Sequence, residues 1–359
     1  MIYFLLLLFV VALWILKENK LLSRATSERK YCYAIIGVVV LLAALRGTRI
    51  GGLGADDISF IDDYNNIGSF TFAQIYDRWQ DYFGYYAISK CFYHLGFSAR
   101  VWFAVLELFY MFSIYRLIER YSKDKILSLL VFICIGLMCS SFTHLKQILS
   151  ASFVILSFLS FTEKKYIRTI LFMAVAFITH TASLIALLLF IMYFLRNIKY
   201  YIVLVLGVVV VLYTQRELLL INAVSFIQKE QFEHFEMYLD LDSTYSYVTF
   251  IYYIVLLLTC LIVVKSYNNC NRGESKFLIG ACIVACSCQL FAAFNPSLFR
   301  LANYFTPFFM LLIPNVVSSY PDGKRRIYSV VFICMMSFFM LYTMRNDPYV
   351  FMWESKMIK

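Results

Sequence analysis

Four cations stand against long apolar blocks in this chain of 359 residues: Arg46, Arg49, Lys146 and Arg300. A charge in such a place is costly and usually has a purpose. One purpose is to hold an anion. Arginine suits phosphate because its planar fork makes paired hydrogen bonds. The plain alternative is snorkelling, in which long basic side chains near helix ends reach up to the headgroups. Arg300 has polar company. With Asn303, Tyr304 and Pro307 it follows the i, i+3, i+4, i+7 spacing of one helix face. Such a face can bind an anion, and Pro307 is expected to loosen the helix.

Groups able to move a proton are few. His180 is the one histidine in the apolar block 169–194. A lone histidine in that setting is more often hydrogen-bonded structure than a catalyst. His144 precedes Lys146 by two residues, and His94 and His234 lie in longer polar segments. Asp56 and Asp57 follow Gly51-Gly52-Leu53-Gly54-Ala55. Glycines let a backbone turn tightly and approach a ligand closely. A carboxylate on such a turn can accept the proton of an attacking hydroxyl; the alternative is a solvated turn. Glu107 sits inside an apolar block, and spacing does not tell which cation it serves. The ten cysteines are scattered. Cys282, Cys286 and Cys288 share one expected helix but form no metal-like ligand set. There is no GxxxxGK[ST], no HExxH and no GxSxG. An ATPase or a soluble-type enzyme is not indicated, and no metal or cofactor is expected.

Elements that would position these residues follow from composition. Hydrophobic residues make up 62% and charged residues 15% of the chain, against roughly 25% charged in a soluble domain. The apolar residues fall in blocks, and a membrane span needs about 20 of them. We read an all-α, polytopic integral membrane protein of about twelve transmembrane helices, forming a single transmembrane domain over 1–359. The blocks are 2–16, 31–45, 101–118, 126–142, 146–161, 168–179, 182–195, 200–213, 248–264, 277–293, 299–317 and 327–343. Met1–Leu16 lacks a basic leader and a small-residue cleavage site, so it is expected to be a retained span. The block 169–194 is split at Thr179-His180-Thr181, because so long a run with a polar centre suits a broken helix.

Alternate loops then separate by charge. Loops 17–30, 116–125, 163–168, 196–199, 265–276 and 320–326 hold 20 Lys and Arg against 7 acids, and the remainder holds 12 against 15. The positive-inside rule places the first set in the cytoplasm and both termini outside. The net charge of +10 is thus a topology signal, and no nucleic-acid partner is expected. Two outward segments are too long for turns: 46–100, whose aromatic second half 82–97 suits an interfacial helix, and 214–247. Aromatic rings with acids suit a carbohydrate site; they equally describe an interfacial belt.

These residues resemble a family. Arg46 followed by Gly54-Ala55-Asp56 and Tyr64 is similar to the arginine, Gly-Thr-Asp and tyrosine of the EpsG family, which is related to Wzy-type O-antigen and capsule polymerases. Leu145-Lys146-Gln147-Ile148, then Lys164-Lys165, then His180-Thr181-Ala182-Ser183-Leu184-Ile185 looks like its Arg-Gln helix followed by a His-x-Ser-Ala-Leu-Ile segment. Arg300 with Tyr304-Phe305 is similar to its late Arg-x-x-x-Tyr-Phe helix. The order of the three spans nearly the whole chain. Lys146 departs from the usual arginine, keeping the charge but losing the fork. The extra Gly51-Gly52-Leu53 and the doubled Asp56-Asp57 shift the aspartate alignment.

The resemblance implies a GT-C-like membrane glycosyltransferase in the bacterial inner membrane, with its site facing the periplasm or exterior. It would polymerise repeat units of an O-antigen, capsule or exopolysaccharide. Donor and acceptor would be oligosaccharides on undecaprenyl diphosphate. The lipid bilayer, a chain-length regulator and a flippase are the further partners it implies. Catalytic roles would fall to Asp56 or His180, and diphosphate binding to Arg46, Arg49, Lys146, Arg300 and Tyr304. The rival reading is a lipid-linked oligosaccharide flippase or polysaccharide exporter. That machine should carry cations through mid-bilayer and internal repeats; here the cations gather at the outer side. A membrane acyltransferase would want its histidine on the cytoplasmic side, where His180 is not expected.

Overall fold

The computed structural model describes residues 2–19, 25–47, 57–215, 244–265, 272–292, 299–344 and 349–354. Among them the chain is helical, and the one β contact is an isolated antiparallel bridge between Arg46 and Phe351. Helices satisfy their own backbone groups, which is what an apolar solvent demands. Each of the twelve apolar blocks is helical over most of its length. By length and hydropathy four of the described helices can cross a membrane: Ala99–Tyr121, Leu145–Thr162, Gly273–Ala292 and Asp322–Met344. A fifth forms if Lys125–Cys134 and Leu137–Thr143, bent by 57°, count as one. Of the other apolar helices, Ala25–Leu45 and Thr244–Lys265 have 21 and 22 residues, and the rest are shorter than the ~20 residues of a straight span.

The chain divides into two compact units, Met1–Leu184 with Ile313–Lys359, and Ile185–Leu312. The first contains α1 (Ile2–Glu18), α2 (Ala25–Leu45), α3 (Asp57–Asn66), α4 (Phe72–Arg78), α5 (Phe83–His94) and α6 (Ala99–Tyr121). It continues with α7 (Lys125–Cys134), α8 (Leu137–Thr143), α9 (Leu145–Thr162) and α10 (Tyr166–Thr179). The long helix Asp322–Met344 completes it. Helices α9 and α10 form an antiparallel hairpin. Ser150 donates to the Ala176 carbonyl at 2.8 Å and Ser157 to that of Thr169 at 2.7 Å. Small polar residues permit such close approach where apolar burial cannot drive association.

The basic loops come together. Lys17 pairs with Asp124 at 2.7 Å and with Glu28 at 3.2 Å, Arg29 with Glu119 at 3.2 Å, Arg120 with Glu163 at 3.2 Å, and Arg325 with Glu18 at 3.0 Å. Loops 17–30, 116–125, 163–168 and 320–326 are thereby tied to one another at one end of the first unit. In the second unit Lys276 donates to the Ile198 carbonyl at 3.1 Å, joining the start of the helix Arg272–Ala292 to segment 196–199. Charge alternation in the sequence had grouped these loops.

Breaks in the helices also matter. Gly136, at φ +87°, separates α7 from α8; a left-handed residue there favours glycine. His180 is extended, at φ −161° and ψ 109°, and cuts α10 from the 3-10 turn Thr181–Ala186 and the helix Leu187–Leu195. The split expected in 169–194 is therefore present. The helix expected through Arg300 is not continuous. It runs from Phe299 to Ala302, then turns, and resumes as a 3-10 turn at Thr306–Phe308 and as α-helix over Phe309–Val317. Pro307, in the first turn of that 3-10 segment, restarts the chain. Residues 300, 303, 304 and 307 accordingly do not share the face of one α-helix.

Asp124 carries two duties in this fold. Its carboxylate caps α7 by accepting from the Leu127 N–H at 3.0 Å, and it is the nearer partner of Lys17. Burial works against the Lys17 ammonium, but Asp124 and Glu28 outweigh it and hold its pKa above the ordinary lysine value. A raised folded-state pKa means this contribution is whole at neutral pH and fades only as pH climbs through that value. Asp124→Ala should lower stability by about 1–2 kcal/mol for the cap alone. Asp124→Asn, which keeps a capping oxygen, should lose less. Thermal unfolding of the purified protein in detergent at neutral pH would rank the two; equal melting temperatures for both variants and the parent would refute the dual role.

Candidate functional site

Lys146 lies in the first turn of α9, whose far end leads to Glu163 among the ion pairs. Eighteen residues at 1.5 Å rise separate these ends by roughly 25 Å. Arg46, just past α2, and His180, just past α10, are likewise at the ends of their helices away from the basic loops. Three sequence-selected residues thus share one end of the first unit.

Segment 57–100 packs there. The Lys146 ammonium lies 4.5 Å from the Tyr82 ring centroid, 4.8 Å from Tyr86 and 5.4 Å from Phe60. A cation over aromatic faces is held by the negative potential of the rings. His180, itself buried, meets the same Tyr82 ring edge-on at 5.2 Å. Tyr82 is therefore the shared wall of the lysine and the histidine. Beside it, Thr181 donates its hydroxyl to Asp81 at 3.0 Å. Tyr86 donates its hydroxyl to Asp63 at 2.5 Å and stacks on Trp79 at 3.9 Å. Burial, and then the hydrogen bond to Asp63, push the Tyr86 hydroxyl far above the ordinary tyrosine range, so it stays a donor at physiological pH. Close approach of α5 to α10 requires Gly84: a Cβ there would stand 3.0 Å from the Ile178 backbone.

Arg46 is fixed more deeply. It is buried, and its guanidinium lies 5.1 Å from the Phe103 ring and 5.6 Å from Phe142. Its carbonyl accepts from Arg100 at 2.9 Å. The C-terminal residues run against it: Gly47 N–H donates to Val350 at 2.7 Å and Met352 N–H to Leu45 at 2.9 Å. Glu107 on α6 is 1% exposed and accepts from Ser141 at 3.0 Å. Phe103, which packs against the Arg46 guanidinium, lies one turn before Glu107 on the same helix. Tyr85 packs edge-on against Tyr86 at 5.2 Å and, tilted, against Trp102 at 6.3 Å, the residue before Phe103. A run of tyrosines thus joins the surroundings of Arg46 to those of Lys146.

The sequence-selected residues divide as follows. Lys146, His180 and Arg46 are brought into one neighbourhood. Arg49 and Asp56, with the glycines at 51, 52 and 54, lie outside the described residues, although α3 begins at Asp57 and carries Phe60 to Lys146 one turn later. Most of segment 214–247 also lies outside them. Arg300 and Tyr304 belong to the second unit. There Tyr304 is buried in the turn after Phe299–Ala302, and Thr306 donates to the Ala302 carbonyl at 2.8 Å. Sequence reasoning missed Phe60, Asp63, Asp81, Tyr82 and Tyr86. One signal was available: Phe60 and Asp63 are three apart, on one face of a short helix. The partners they meet are 20 to 90 positions away, and no local pattern encodes them.

The arrangement offers a held cation, a second buried cation, an imidazole and two hydrogen-bonded carboxylates among aromatic rings. It can bind an anion, pack against a sugar face and receive a proton. No curated protein and no solved structure shows significant similarity to the chain. The sequence pattern of the EpsG family matches residues 30–354, nearly the whole length. With that match, and with its apolar helices, the chain belongs to the EpsG family, a Wzy-like polymerase family.

Proposed function

We propose that this polysaccharide polymerase-type membrane protein joins oligosaccharide repeat units carried on undecaprenyl diphosphate, at the outer face of the bacterial inner membrane. In this reading the apolar blocks make about twelve crossings in a GT-C-like arrangement. Segments 46–100 and 214–247 face outward. The observation that carries it is the Tyr82 ring shared by Lys146 and His180, at the end of the first unit remote from the basic loops.

A hydroxyl of the acceptor's sugar attacks the anomeric carbon of the donor. The new C–O bond forms as the bond to the diphosphate oxygen breaks, and the electron pair leaves with the lipid diphosphate. The hydroxyl proton passes to a base. Negative charge grows on the leaving diphosphate, so preorganised cations lower the barrier. Arg46, Arg49, Lys146, Arg300 and Tyr304 take that binding role. Asp56 is the first choice for the base, since it precedes the helix that carries Phe60 to Lys146. His180 is the second. A buried imidazole beside Tyr82 also suits a hydrogen bond to phosphate.

Orientation is tested by single-cysteine labelling in intact cells. Positions 60–95 should react with an impermeant reagent, whereas positions in 265–276 and 320–326 should react only after permeabilisation. Labelling of residue 270 from outside would overturn the topology and the placement of the site.

Chemistry is tested in cells lacking the chromosomal copy. Deletion should leave a single capped repeat unit on the surface where the parent makes a ladder. Arg300→Ala should abolish the ladder at normal protein levels, and Arg300→Lys should restore little, because it lacks the fork. In the purified system Asp56→Asn should still bind lipid-linked substrate but turn over roughly 10²-fold to 10⁴-fold more slowly. Near-normal turnover of Asp56→Asn would move the base to His180. A normal ladder from Arg300→Ala would remove its diphosphate role.

A further inference from the structure

We infer that Asp63 is a positioning residue: through the Tyr86 hydroxyl it locks the aromatic cage that holds the Lys146 ammonium at the site. The inference rests on the polymerase reading for its consequence in turnover, but its geometry stands apart from that reading.

A lysine side chain has four rotatable bonds and a compact, strongly hydrated charge. Left to itself at a membrane surface it samples many rotamers. An electrostatic catalyst has to be in place before charge develops, so a wandering ammonium is a poor one. Here Phe60, Tyr82 and Tyr86 surround the ammonium at 4.5–5.4 Å. They come from α3, from the 3-10 turn Gln80–Tyr82 and from α5. The cage is therefore only as rigid as the contacts between these three pieces.

Tyr86 is the ring best placed to fix them. It is 1% exposed. Trp79 stacks on one face at 3.9 Å with the planes 19° apart, which leaves the other face to the ammonium. Trp79 is itself backed by Arg78, whose guanidinium is 4.8 Å from its ring. Asp63 fastens the remaining freedom. Its carboxylate takes the Tyr86 hydroxyl at 2.5 Å, and this bond ties α3 to α5. Phe60, one turn earlier on α3, is carried to Lys146 by the same tie. One carboxylate thus sets two of the three cage walls without touching the cation.

This role makes a requirement that general-base chemistry does not share. Positioning needs an acceptor at residue 63, and asparagine keeps one. A base needs the carboxylate itself. The test uses the full-length protein in nanodiscs, with two readouts. One is the rate of reductive methylation of Lys146, followed by mass spectrometry. The other is binding of undecaprenyl diphosphate. Asp63→Ala and Tyr86→Phe should each speed methylation of Lys146 about fivefold or more and weaken undecaprenyl diphosphate about tenfold. The double variant should be no worse than either single one. Asp63→Asn should stay within about threefold of the parent in both readouts and should still make polymer in cells.

Parent-like methylation in Tyr86→Phe overturns the inference, and that variant removes a single oxygen, so it also decides the matter if Asp63→Ala fails to insert. Multiplying effects in the double variant overturn it as well. If Asp63→Asn binds normally yet makes no polymer, Asp63 is a base and the positioning role is wrong. A parent protein that does not bind undecaprenyl diphosphate at all would sink the polymerase reading, and the methylation rates would still judge the cage.

Discussion

An ammonium at the margin of a hydrocarbon slab has lost much of its water, and the protein has to replace it. At Lys146 the replacement comes from three aromatic faces. Rings are apolar enough to lie against membrane helices, and their quadrupoles still attract a cation. That choice shapes the first unit. It draws α3, the 3-10 turn Gln80–Tyr82 and α5 down onto the start of α9 and the end of α10. It calls for a glycine at 84, where α5 meets the Ile178 backbone. It brings Tyr82 against His180. Segment 57–100 is therefore better understood as a cover built around a cation than as a loop between helices.

The opposite end is compensated by different means. Glu18, Glu28, Glu119, Asp124 and Glu163 meet the basic loops in direct ion pairs. Most of these are partly exposed, and each is worth little alone. Their use is registration: they join loops distant in sequence and hold the helix ends level. Ion pairs of that kind consume donors. A ring face, by contrast, attracts an ammonium's charge without accepting a strong hydrogen bond. The two ends of one helical unit thus differ in how they hold their cations.

Much of the fold was legible because membrane chemistry writes it locally. Apolar blocks became helices, and within the first unit the basic loops came together as charge alternation grouped them. His180 broke its block, since three polar residues in an apolar run interrupt a helix's natural surroundings. The site was legible only at its charges. Lys146, His180 and Arg46 stood out against apolar neighbours, whereas Asp63 and Tyr86 looked like ordinary members of a polar, aromatic segment. Their meaning comes from a contact across 23 positions. Glu107 stood out too, but its hydrogen-bond donor, Ser141, is 34 residues away. The face drawn through Arg300 failed for another reason. Its spacing fits a helix, but Pro307 cannot donate to a turn behind it, and the chain restarts there as a 3-10 segment.

Breaks and charges belong together in this architecture. An unbroken span hides every backbone group and can offer a ligand only side chains. Ending α10 at His180 and beginning α9 at Leu145 brings two helix ends to one side of the unit. The first turn of α9 presents N–H groups and the positive end of its dipole beside Lys146, which favours an anion. In the last turn of α10 the Ala176 carbonyl accepts from the His180 N–H at 3.0 Å and also from Ser150 on the neighbouring helix at 2.8 Å. The negative end is therefore partly answered within the protein, while the positive end faces the aromatic cover. A negatively charged group approaching that cover would meet a caged ammonium and an aligned helix start together. Neither needs to reorganise as charge develops. For a reaction whose leaving group is an anion, that preorganisation is what the fold contributes.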